Sequence, residues 1–203
     1  MKNDREYRDL KLEVEERSEN GESTYIVRGY ASTFEPYVLF EEEGIQYKEV
    51  IDPHAFDECD MSDVVFRVDH EGAVYARSSA GTLKVSVDEH GLKDEADLSK
   101  TANARALFED IAAGNYPKQS FAFSVREDSY DKETHTRKIT KIKKLYDVSP
   151  VSFPANPGTE LDIATRDYFN GVIEMEKAER LESEKRERAR KALELKIKMI
   201  ERK

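Results

Sequence analysis

A second cysteine is missing from this chain. Cys59 stands alone among 203 residues, so no intramolecular disulfide can hold the fold, and an oxidising compartment is not required. Also missing is any apolar run near the ~20 residues that a membrane-spanning helix needs. Met1 to Leu10 is charged and has no apolar stretch of the signal-peptide kind. The chain is therefore expected to be soluble and cytoplasmic, with no membrane partner. There is no HExxH and no CxxC, and none of the four histidines is paired at metal-ligand spacing. Neither a metal nor a cofactor is expected. Positive charge is short too: the formal net charge of −10 argues against a general nucleic-acid binder, which needs a basic surface for phosphate.

What is present in excess is charge of both signs, 37% of residues against the usual quarter or so. Hydrophobic residues reach 38%, enough for one domain with a core plus an appendage. Composition shifts near Arg166. From there to Lys203 there are 12 Lys+Arg and 9 Asp+Glu, a net of +3, which leaves −13 on residues 1–165. The reading is an N-terminal segment open to disorder at 1–20, a body at 21–165 and a helical tail at 166–203. The tail is rich in strong helix formers. Ala189, Leu193, Ile197 and Ile200 fall at helical spacing, but Glu182 to Arg188 has no apolar residue, so no heptad seam runs through it. One or two amphipathic helices are expected, either docking on a partner or a second copy, or simply solvated.

The body is patterned for strands. Tyr25 to Tyr30, Val64 to Val68, Leu83 to Val87, Leu92 to Leu98, Ser120 to Val125 and Arg137 to Val151 carry β-branched or alternating sequences. Asp88-Glu89-His90-Gly91 makes a turn between two of them. Asp52-Pro53 offers a helix start. A second helix is better marked: Thr101 as cap, a stripe of Ala104, Leu107, Phe108 and Ile111, and Gly114 as the stop. The fold class is mainly β with surrounding helices (α+β), a closed or strongly curved barrel-like sheet, plus the charged helical tail.

Three residues attract chemical interest. On a strand, Ser120, Ala122 and Ser124 share a face of small side chains, with Phe121, Phe123 and Val125 opposite. A serine there can be a nucleophile, although such serines are more often structural. His70 follows an apolar strand and has the titration range of a general base; a lone histidine at a strand end is more often a turn residue. Asp147 is a carboxylate inside an apolar run and should have a partner. Asp69 and Glu71 compete with it as orienters of His70, although strand neighbours point to opposite faces. Cys59, between Glu58 and Asp60, is a poor thiolate candidate.

The stretches Arg28 to Phe34, Glu49 to Phe56, Val68-Asp69-His70-Glu71, Ser79 to Leu83, Gly91-Leu92, Gly114 to Phe123 and Leu145 to Pro157 occur in an order that resembles the HK97-type phage prohead protease family. That family is similar in fold to the herpesvirus assemblin proteases, a β-barrel with helices around it. The resemblance implies a serine endopeptidase with His70 as general base, Ser120 as nucleophile and Asp147 as third member. It implies cleavage of the major capsid protein's scaffolding segment or a scaffold protein, and of the chain itself, inside the assembling prohead in the host cytoplasm. It also fits a homo-oligomer and a phage or prophage origin. Two positions depart from the pattern: His54 and Ala122 stand where glycine is usual. Arg126 and Arg137 are nearby candidates to assist an oxyanion. The alternative is a non-catalytic capsid assembly protein on the same fold.

Overall fold

The computed structural model describes residues 5–15, 18–19, 22–23, 25–152 and 163–200. Two compact units divide the chain, Met1–Asp162 and Ile163–Lys203. The described residues of the first form twelve strands: β1 (Arg5–Glu15), β2 (Ser18–Glu19), β3 (Glu22–Ser23), β4 (Ile26–Thr33), β5 (Tyr37–Glu42), β6 (Ile45–Ile51), β7 (Val65–Val68), β8 (Glu71–Arg77), β9 (Leu83–Val87), β10 (Gly91–Asp97), β11 (Lys118–Asp131) and β12 (Thr136–Val151). Helix α1 (Ala102–Ala112) lies between β10 and β11, and a 3-10 turn occupies Ser78–Ala80. The body is mainly β with helix, as its patterning predicts. β1 falls inside the segment 1–20, and it sits in the middle of the sheet between β11 and β4.

The main sheet runs β5-β6-β12-β11-β1-β4-β10-β9, with β7 and β8 branching from β12. It is not closed, so of the two forms expected, closed or strongly curved, the closed one does not hold. The physical reason is a fork at β12. Its edge away from β11 is shared by β6, at Thr136 to Ile139, and by β7, at Asp147 and Val148. The sheet therefore branches there and does not continue round to β9. Curvature is nonetheless strong. Gln119 of β11 donates from Nε2 to Asp94 Oδ1 of β10 at 2.6 Å, although β1 and β4 lie between those strands. In a flat sheet the gap would be about 14 Å.

The alternation on β11 sets the core. Phe121 and Phe123 stack with ring centroids 4.6 Å apart, among Phe66, Ile139, Ile142, Leu145 and Val148, all fully buried. Helix α1 covers this core with Ala104, Leu107, Phe108 and Ile111, the stripe read from the sequence. Its ends follow local chemistry. The Ala104 N–H donates to Thr101 Oγ1 at 3.1 Å, satisfying one of the orphan donors of the first turn. At the other end Gly114 takes φ of 85°. The N–H groups of Gly114 and Asn115 then donate back to Ile111 and Asp110, a Schellman stop that favours glycine. Gly91 is required for a different reason: a Cβ there would lie 1.9 Å from the Ser32 carbonyl oxygen.

Asp52-Pro53 does not start a helix. Residues 53–58 form successive turns, with N–H groups of Ala55, Asp57 and Cys59 bonded to the carbonyls three residues back. The Ala55 carbonyl is taken by the Ile142 N–H of β12, so an i to i+4 ladder cannot propagate. The second unit is one 38-residue helix, α2 (Ile163–Ile200), where the sequence allowed one or two. Leu181, Leu193, Leu195, Ile197 and Met199 are exposed on it.

Candidate active site

Ser120 lies near the start of β11, and Asp147 lies on the neighbouring β12. The β11–β12 ladder pairs Ser120 with Ser149 and Ala122 with Asp147. Paired residues of an antiparallel ladder share a face. Ser120, Ala122, Asp147 and Ser149 therefore form one small polar patch, on the face opposite the phenylalanines. The alternation that sends Phe121 into the core sends Ser120 away from it.

His70 reaches this patch from a hairpin. Val68 pairs with Glu71, which leaves Asp69-His70 as a two-residue loop. Both residues have positive φ, 48° and 59°, as a type I′ turn requires. Aspartate and histidine are among the few non-glycine residues that enter this region readily. The tip is tied to the end of β12. The Asp69 N–H donates to the Pro150 carbonyl at 3.1 Å. The Asp69 carboxylate accepts from the Ser152 N–H at 2.8 Å and the Ser152 hydroxyl at 2.6 Å. On the other side Arg67 donates to the Gly72 carbonyl at 2.9 Å.

So held, the imidazole bridges the patch. Nδ1 is 2.6 Å from Asp147 Oδ1, and Nε2 is 2.8 Å from Ser120 Oγ. A carboxylate only accepts, so Nδ1 carries the proton and Nε2 turns its lone pair to the serine hydroxyl. The Ser149 hydroxyl donates to the same Asp147 Oδ1 at 2.8 Å. The Asp147 side chain is 2% exposed and that of His70 16%, so the acid is kept from water while one side of the imidazole meets it.

The structure thus brings together His70, Ser120 and Asp147, and it separates the rivals. Asp69 is engaged with Ser152, and Glu71 is exposed. His54 contacts Asp57 in an exposed turn. His90 packs edge-on against Tyr30, and His135 meets the Tyr130 hydroxyl. The arginines suggested for an oxyanion are committed elsewhere, which corrects that expectation. Arg126 pairs with Glu58, while Arg137 is buried between Glu49 and Asp128. Ala122, in place of a usual glycine, has no positive φ and sits in the strand without strain. Burial, and then the nearby Asp60, push the Cys59 thiol up to about 11.

Two features went unread in the sequence. Ser149 stands two residues beyond Asp147, and strand alternation alone places both on one face. Asp94 is fully buried, and burial pushes its carboxyl up to about 7 against the opposing pull of Gln119. Among the described residues neither Asp94 Oδ2 nor Gln119 Oε1 has a hydrogen-bond partner, and no periodicity signals the contact between these two side chains.

A hydroxyl, an imidazole and a buried carboxylate joined in this order are the arrangement that serine hydrolases use for acyl transfer. Residues 11–172 match the family model described as caudovirus prohead serine protease. The chain belongs to that family, and its place is among the serine proteases of capsid maturation. No curated protein and no solved structure matches it.

Proposed function

We propose that this chain is an active serine endopeptidase with Ser120 as nucleophile, His70 as general base and acid, and Asp147 as the carboxylate that orients His70. The observation that carries this reading is the unbroken pair of hydrogen bonds from Ser120 Oγ to His70 Nε2 and from His70 Nδ1 to Asp147 Oδ1, 2.8 and 2.6 Å long. Oγ attacks the peptide carbonyl carbon while its proton passes to Nε2. The imidazolium, stabilised by the Asp147 charge, gives that proton to the departing amine nitrogen as the C–N bond breaks. Water then attacks the acyl ester, losing a proton to Nε2, which returns it to Ser120. Ser120 is fully buried, so a peptide carbonyl reaches Oγ only after the groups over it move aside.

Membership of the family supports the substrate. It is the scaffolding segment of the major capsid protein or a separate scaffold protein, and the chain itself is a second substrate. Cleavage takes place inside the prohead in the host cytoplasm. The test is co-expression of wild type and Ser120→Ala with the capsid protein encoded beside this chain, read by intact mass. Truncation in wild type only supports the reading. Cutting in both removes Ser120 as nucleophile, and intact chains in both favour a non-catalytic assembly role.

A further inference from the structure

We propose that Ser149 is a positioning residue of this site, a second hydroxyl that holds the Asp147 carboxylate in place against His70; this rests on the roles given above to Ser120, His70 and Asp147. Ser149 is fully buried, and it stands directly across the β11–β12 ladder from Ser120. A buried hydroxyl has to spend its proton on a partner. Ser149 gives it to Asp147 Oδ1 at 2.8 Å and not to Ser120.

The choice of oxygen matters. Oδ1 also accepts the His70 Nδ1 hydrogen, at 2.6 Å, so both donors converge on one atom. Two donors on one oxygen leave the carboxyl group little freedom to rotate and present Oδ2 to the imidazole instead. Ser149 therefore keeps the imidazole aimed at Ser120 by holding the Asp147 carboxylate in place.

Removing the hydroxyl frees the carboxyl group to turn, so the imidazole is aimed less well at Ser120. A packing role alone would not distinguish threonine from valine at this position. The experiment follows the rate at which a fluorophosphonate labels the full-length protein at pH 7, which needs no knowledge of the substrate. The variants are Ser149→Ala and the near-isosteric pair Ser149→Thr and Ser149→Val, of which only threonine keeps a hydroxyl. The pair keeps the test valid if alanine fails to fold.

Ser149→Ala and Ser149→Val are expected to label roughly tenfold more slowly at pH 7, the size of one hydrogen bond to a charged group. Ser149→Thr should recover most of the rate. Threonine and valine slowed alike would overturn the positioning role while leaving the triad standing. Wild-type behaviour of Ser149→Ala would do the same. Labelling that persists in Ser120→Ala would overturn the triad reading, and this proposal with it.

Discussion

Asp69 and Ser152 lie 83 residues apart in sequence and are joined by two hydrogen bonds, at 2.8 and 2.6 Å. They clamp the tip of the β7–β8 hairpin to the end of β12. His70 directly follows Asp69, and Asp147 lies on β12 a few residues before Ser152, so the clamp fixes the two strand ends that carry the hydrogen-bonded pair His70 and Asp147. Positive φ at two successive non-glycine residues costs energy that the surroundings have to offset, and the clamp supplies that offset.

Asp69→Ala is expected to destabilise the hairpin by about 2 kcal/mol, through the lost charge-assisted bonds and the poor fit of alanine to positive φ. Labelling of Ser120 should fall about tenfold while the melting temperature moves only a few degrees. Asp69→Asn, which tolerates this backbone and keeps one acceptor, should lie between alanine and wild type. Labelling rates and thermal melts of the three proteins check this.

Asp147→Asn tests the tautomer. An amide can donate to Nδ1, which moves the imidazole proton to Nε2 and leaves no lone pair facing Ser120. Cleavage and labelling should drop roughly 10³–10⁴-fold with the fold intact. Kinetics alongside near-UV circular dichroism separate this from unfolding.

Asp94 makes stability depend on pH in the direction opposite to most carboxylates. Its folded value of about 7 lies above its ordinary 3.8. Between those values the folded state holds a proton that the unfolded chain has released. Stability from this group is complete below the lower value and falls as pH rises through the window. Asp94→Asn stays neutral and can donate to Gln119 Oε1. Urea unfolding at pH 5 and pH 8 should show this variant gaining on wild type at the higher pH.

Arg137 gives a control away from the chemistry. It is 4% exposed and ion-paired to Glu49, itself fully buried, at 3.3 Å and to Asp128 at 2.6 Å. Arg137→Ala leaves buried acid without its cation and is expected to cost about 3–5 kcal/mol. The folded fraction, measured by denaturation, should still label at Ser120 at close to the wild-type rate.

Much of this arrangement is legible in the sequence. Helix α1 could be read from Thr101, a four-residue stripe and Gly114 because its stop signals and packing are local. The split of β11 into a phenylalanine face and a serine face follows from strand alternation alone. His70, Ser120 and Asp147 were each weak on local evidence and gained weight only from the ordered family motifs around them. The open sheet was not legible, because the fork at β12 depends on two distant segments, β6 and β7, sharing one edge. The Pro53 turns are not legible for a similar reason: a long-range bond from the Ile142 N–H to the Ala55 carbonyl competes with a good local start signal. The Asp94–Gln119 contact depends on sheet curvature, which leaves no mark in either strand's sequence.

The most direct measurement is to treat the full-length protein with a fluorophosphonate and locate the adduct by peptide mass mapping, with His70→Ala and Ser120→Ala in parallel. One adduct on Ser120 in the wild-type protein, lost in both variants, is the result the account predicts. An adduct on another residue, or labelling of Ser120 at an unchanged rate without His70, would contradict it.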